Sequence, residues 1–172
     1  MPSPHTNAAS TTAVQVRRAN YLLASDRAAL CSLLNGYALD PMGGGAPLAA
    51  ETMARLCDDL AQRPFAFSFL AWQGEQPIGL ANCFEGYSTF KARPLINIHD
   101  LAVHPSARGR GVGQALMQAV EVEGKARGAC KITLEVLTGN AVALKSYERF
   151  GFAAYALDPA AGQATFLQKW LV

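Results

Sequence analysis

No apolar stretch of this 172-residue chain reaches the ~18 residues that a bilayer-spanning helix needs, so the sequence offers no membrane span. Residues 1–12 are polar and small and lack the apolar centre of a secretory signal; they read as a flexible lead to one domain over 13–172. The cysteines, Cys31, Cys57, Cys83 and Cys130, form no C-x-x-C, and no histidine stands at ligand spacing from them, which argues against zinc. With no secretory signal, reduced buried thiols and a cytoplasmic location are expected. The net charge of +2 is too small to argue for nucleic acid, since basic residues are scattered apart from Arg17-Arg18 and Arg108/Arg110. There is no repeat, linker or low-complexity block.

What is present is a globular composition, 51% hydrophobic, in a chain long enough for a proper core. Val14-Gln15-Val16-Arg17 alternates as a strand does. Ser25 or Asp26 is placed to cap a helix with Ala29, Leu30, Leu33, Leu34 and Tyr37 on its apolar face. Pro41, Pro47 and Gly43-Gly44-Gly45 then break regular structure. Met53, Leu56, Cys57 and Leu60 repeat at helical spacing up to Pro64. Phe65–Trp72 and Pro77–Phe84 predict a hairpin about Gln73-Gly74-Glu75-Gln76, and Tyr87–Pro94 an irregular loop. Leu95–Val103 reads as a strand covered on both faces. An amphipathic helix follows, ending at Gly128, then a strand over Cys130–Leu137 and a helix over Asn140–Phe150 closed by Gly151. Phe152–Leu157 and Ala164–Trp170 are expected as two closing strands. The order implies a mixed α/β domain with helices on the faces of a central sheet.

The segment Arg108-Gly109-Arg110-Gly111-Val112-Gly113 lies between the apolar strand and the helix. Glycines allow positive φ and close approach of a ligand, and a helix start presents unpaired N–H groups with partial positive charge. Together they suit a pyrophosphate. The spacing excludes two nucleotide sites. No Lys-Ser or Lys-Thr follows, as a P-loop requires. The last glycine of G-x-G-x-x-G is replaced by Gln114 or Leu116, depending on the starting point. What remains is R-x-x-G-x-G, carried by Arg108, Gly111 and Gly113.

That turn, after Leu101-Ala102-Val103-His104-Pro105, resembles the acyl-CoA site of the GNAT-type N-acetyltransferases. The segment Asn140-x-x-Ala143-x-x-x-Tyr147-x-x-x-Gly151-Phe152 and the order of elements extend the resemblance over about residues 14 to 170. It implies a single-domain, mostly antiparallel mixed sheet of about six to seven strands with helices on both faces. It also implies acetyl-CoA as co-substrate, no metal, a small-molecule amine as acceptor and a homodimer as an open option. Strand residues Leu101, Ala102 and Val103 would line the pantetheine, with backbone groups of Leu101 and Val103 pairing its amides. Backbone N–H groups of Arg108, Gly109, Arg110, Gly111, Val112 and Gly113 would hold the pyrophosphate. Asn140 would cap its helix and reach the pantetheine beside Ala143. A backbone N–H near Leu101 would meet the oxyanion, and Tyr147 would protonate the leaving thiolate.

For a base, His99 and Asp100 interrupt an apolar strand, and strict alternation sends only one of them to the cleft. His99 shares a face with Leu101 and Val103 in that register and titrates near neutrality; the pair is equally readable as a satisfied structural pair. Glu85, Glu135 or an ordered water are further options. Ile98–Val103 is similar to the diamine acetyltransferase branch, in which a glutamate takes the place of His99. Asp40, Glu51 and Glu85 would suit a cationic acceptor. Lys91 and Arg93 would suit an anionic one. The loops Tyr37–Pro47 and Tyr87–Pro94 are expected to shape the acceptor site. A peptide amine, or a non-catalytic acyl-CoA-binding module, are the rival readings.

Overall fold

A computed structural model describes residues 13–155, 160, 162 and 164–171. Its centre is a sheet whose middle strands are the most apolar segments of the sequence. β1 (Val14–Arg18), β2 (Ala66–Gln73), β3 (Gln76–Ser88) and β4 (Arg93–Val103) pair antiparallel in chain order. β5 (Ile132–Leu134) joins β4 in parallel. Gln73 pairs with Gln76 about Gly74, whose φ of +60° a side chain would strain, so the hairpin forms where the glycine stands.

Helices cover both faces. α1 (Ala24–Leu39) and α2 (Ala50–Ala61) pack Leu30, Leu33, Cys57 and Leu60 on Leu70, Leu80 and Ala102. α3 (Val112–Ala126) seats Val112, Leu116, Met117 and Val120 on the other face, against Phe67, Ala81, Ile96 and Ile98. α4 (Ala141–Phe150) lies beside α3, with Tyr147 and Phe150 packed at the margin of that core. Cys57 and Cys83 are buried, and burial pushes Cys57 up to about 11 and raises Cys83 as well, so both remain thiols. Among the described residues no helix is long and apolar enough to cross a membrane.

Several expectations are corrected. Among the described residues the sheet has five strands rather than six to seven. Ala164–Trp170 alternates suitably but pairs with no strand among the described residues, and Phe166, Leu167 and Trp170 are exposed. A strand exists only through its partner, and β5 offers an edge of three residues, not the whole of Cys130–Leu137. Residues 152–155 form no strand, while 156 and 157, like the lead 1–12, lie outside the described residues. Tyr87–Pro94 is mostly hairpin: Tyr87 pairs with Pro94 and Ser88 with Arg93, leaving 89–92 as the turn. Neither Ser25 nor Asp26 caps α1. Leu23 occupies that position without a side-chain bond, because the Asp26 carboxylate is buried and taken by Arg17 (2.7 and 2.5 Å) and the Asn20 N–H.

Candidate active site

The glycine turn is built as its composition requires. Gly109 and Gly111 have φ of +75° and +80°, and Gly111 precedes the first residue of α3 with no side-chain cap. From Gly109 to Gln114 the backbone N–H groups have no acceptor among the described residues. A helix start of this kind is an anion site by its own dipoles. Arg108 reaches away from the turn; its Nη2 donates to Asp40 at 2.9 Å and its Nε to the Val103 carbonyl.

Beside the turn the sheet opens. Among the described residues β5 pairs with β4 only at Ile96, Asn97 and Ile98, and His99–Val103 run on without a strand neighbour on that side. At the same point β4 carries a bulge. Asn82 is opposite Asp100 and Cys83 opposite Ile98, which leaves His99 as the extra residue. An extra residue reverses the alternation. Ile96 and Ile98 face α3, and beyond the bulge Leu101 and Val103 do so. His99 and Asp100 therefore both line one cavity on the α1/α2 side, where strict alternation would have admitted one, and His99 does not share the face of Leu101 and Val103.

This cavity has a volume of about 360 Å³. Leu34, Tyr37 and Ala38 of α1, Gly43 and Leu48 of the following loop, and Leu56 and Leu60 of α2 make its apolar wall. Asn82, Phe84, His99 and Asp100 make its floor, where His99 meets Phe84 edge-on at 5.5 Å between ring centres. The α1–α2 loop contributes Gly43 and Leu48 to this wall. Lys91 and Arg93 at the β3–β4 turn do not line the cavity. Nor do the other acidic candidates: Asp40 is held by Arg108, Glu51 by Arg55, and Glu85 by Arg127. Glu135 accepts from Asn97 instead.

Tyr147 lies on α4. Asn140 caps α4 by accepting from the Ala143 N–H at 3.2 Å, and Gly151 ends the helix at φ +107°. Gln114, in the first turn of α3, donates to the carbonyl and hydroxyl of Ser146, so α4 is tied beside the glycine turn. The Tyr147 ring packs on Phe152, and its hydroxyl keeps solvent contact with no hydrogen-bond partner among the described residues. Burial raises its pKa, as does the nearby Tyr37 of the cavity wall, so the phenol holds its proton to higher pH than usual.

Sequence reasoning passed over Ser68 and Asn82, buried polar residues in the apolar strands β2 and β3. The signal was available: a polar side chain buried inside an apolar run needs a partner.

The profile described as Acetyltransferase (GNAT) family matches residues 31–152. The streptothricin acetyltransferase of Streptomyces lavendulae is 40% identical over 79 residues, 46% of this chain and 41% of that protein. The chain thus aligns with less than half the length of that curated relative. In fold, a transcriptional regulator from Bacillus halodurans superposes with a TM-score of 0.75 at 21% identity, over 92% of this chain and 100% of that one. An aminoglycoside N-acetyltransferase solved in complex with CoA does so at 0.69 and 20%, over 91% and 95%. With both signature segments, a glycine turn at a helix start and the Asn140–Tyr147 helix inside the matched range, the chain belongs to the GNAT acetyltransferase family.

Proposed function

We propose that the protein transfers an acetyl group from acetyl-CoA to a primary amine of a small-molecule acceptor. The unpaired N–H groups of 109–113 receive the pyrophosphate, Leu101, Ala102 and Val103 flank the pantetheine, and Asn140 and Ala143 lie on its other side. The acceptor enters the cavity under α1 and α2. Its neutral amine attacks the thioester carbonyl, forming the C–N bond. A backbone N–H near Leu101 meets the oxyanion. The C–S bond breaks, Tyr147 gives its proton to the thiolate, and the amine's proton leaves through His99 or water. Membership of the family and the naming of relatives for streptothricin and aminoglycosides support the reading.

The observation that carries it is the position of Tyr147, tied to the donor turn through Gln114 and Ser146 and adjacent to the cavity through Tyr37. Acetyl-CoA or CoA at 100 times its dissociation constant is expected to stabilise the protein by about 2.7 kcal/mol, seen as a thermal shift that NAD and ATP do not produce. Tyr147→Phe is expected to keep that shift and to lower turnover about 10²-fold. Unchanged turnover would remove Tyr147 from the role.

A further inference from the structure

Ser68, Asn82 and Asp100 are directly opposite one another on three adjacent strands. One step along, the corresponding rung is Leu70, Leu80 and Ala102, apolar and buried. The sheet therefore has no packing need for polar residues at this rung. Ser68 and Asn82 are 1% and 4% exposed, and their hydrogen bonds form one directed chain. The Ser68 hydroxyl donates to Asn82 Oδ1 at 2.6 Å, and Asn82 Nδ2 donates to Asp100 Oδ2 at 3.0 Å. With its proton committed to Asn82, Ser68 accepts from the Tyr21 hydroxyl at 2.8 Å. Burial raises the pKa of Tyr21, which keeps it a donor. Every donor points toward the cavity, and the chain ends on a carboxylate rather than on backbone or bulk water.

We propose that Asn82, backed by Ser68 and Tyr21, is a positioning residue that holds Asp100 as the docking carboxylate for the ammonium group of a cationic acceptor. The proposal rests on the amine-acetylation reading above and names the acceptor class. An amide N–H on Oδ2 fixes the carboxylate plane and leaves Oδ1, which has no partner among the described residues, to the cavity. Asp100 is the one carboxylate among the cavity's lining residues. Among the described residues no lysine or arginine lines the cavity to compete for it. An ammonium on the acceptor's body docks at Asp100, while the amine to be acetylated lies toward Tyr147.

The test measures acetylation of three probes by the full chain: sisomicin, spermidine, and benzylamine as an amine without a second cationic centre. Asn82→Asp removes the donor and sets a second carboxylate against Asp100. The acceptor KM for sisomicin or spermidine is expected to rise about tenfold, the size of one lost charge-assisted hydrogen bond. The KM for acetyl-CoA is expected to stay within twofold. The acid limb of the acceptor kcat/KM profile moves to higher pH, because two facing carboxylates resist sharing charge. The titratable groups near Asp100 are His99 on β4, Tyr37 on α1 and Cys83 on β3; α2 presents Leu56 and Leu60. Ser68→Ala frees the Asn82 amide to turn and is expected to give a smaller change of the same pattern. Tyr21→Phe gives the least and, keeping its ring, guards against a variant that fails to fold. Equal changes in both KM values, or altered melting with an unmoved acceptor KM and pH profile, overturn the positioning role. Preference for benzylamine overturns the cationic class. Wild-type protein that binds acetyl-CoA yet acetylates none of the probes overturns the amine-acetylation reading instead, and this proposal with it.

Discussion

Toward α3, Phe67, Ala81, Ile96 and Ile98 meet Val112, Leu116 and Val120, and no polar side chain is buried among the described residues there. Toward α1 and α2, the same strands present Ser68, Asn82 and Asp100 within an otherwise apolar surface, and Asp26 is buried against Arg17 at the edge. Both faces belong to one sheet, so strand propensity does not separate them. What differs is the work of the covering helices. α3 closes its face by filling it. α1 and α2 leave a cavity, and buried Ser68 and Asn82 are kept on that face by their hydrogen-bond partners. A dry face tolerates loss of volume badly. A polar face tolerates loss of a partner badly.

Three substitutions separate the two faces, in falling order of effect. Phe67 is fully buried toward α3 and carries the Arg127 guanidinium over its ring at 4.5 Å. Phe67→Ala is expected to cost about 3–5 kcal/mol in denaturant unfolding, from lost burial and the cavity left behind. Turnover per folded molecule should be retained; a collapse of acceptor KM would show the faces to be less independent than their packing suggests.

Gly79 tests the opposite error, too much volume. A Cβ there would come 2.9 Å from Val112 Cγ1 and 3.0 Å from Leu116 Cδ1. Gly79→Ala is therefore expected to destabilise by about 1–3 kcal/mol, as overpacked cores do. Because Val112 is the first residue of α3, a weaker response of melting temperature to CoA should accompany it; a neutral melting temperature would mean that α3 shifts without strain.

Asp26 gives the polar face a pH signature. The Arg17 guanidinium and the Asn20 N–H hold its carboxyl below the usual carboxylate range. A depressed folded pKa contributes stability that is present above the unfolded value near 4 and is lost as pH falls through the folded pKa. On acidification, amide exchange in α1 is expected to quicken before that in α3, and Asp26→Asn should abolish the difference while lowering stability at neutral pH. Simultaneous loosening of both helices would assign the acid response elsewhere.

Much of the architecture was legible residue by residue. Apolar runs located β2, β3 and β4. Gly74 marked the hairpin. Asn140 and Gly151 bounded α4, and the glycines of 109–113 marked the start of α3. These are local signals, since a cap, a positive φ or a run of buried side chains acts within a few residues. The bulge at His99, the rung of Ser68, Asn82 and Asp100, and the shortness of β5 were not legible. Each depends on which residue of a distant strand stands opposite, and register is settled only when whole faces are buried together.

By itself, then, the sequence determined the helices, the central strands, the glycine turn at the start of α3 and the family, because propensity, capping and motif spacing are properties of neighbouring residues. Tertiary structure alone decided that His99 and Asp100 share a cavity, that Asp26 secures α1 rather than capping it, and that Ala164–Trp170 finds no strand partner among the described residues. Those outcomes are set by cross-strand register and by competition for buried partners, which arise only once the chain has closed on itself.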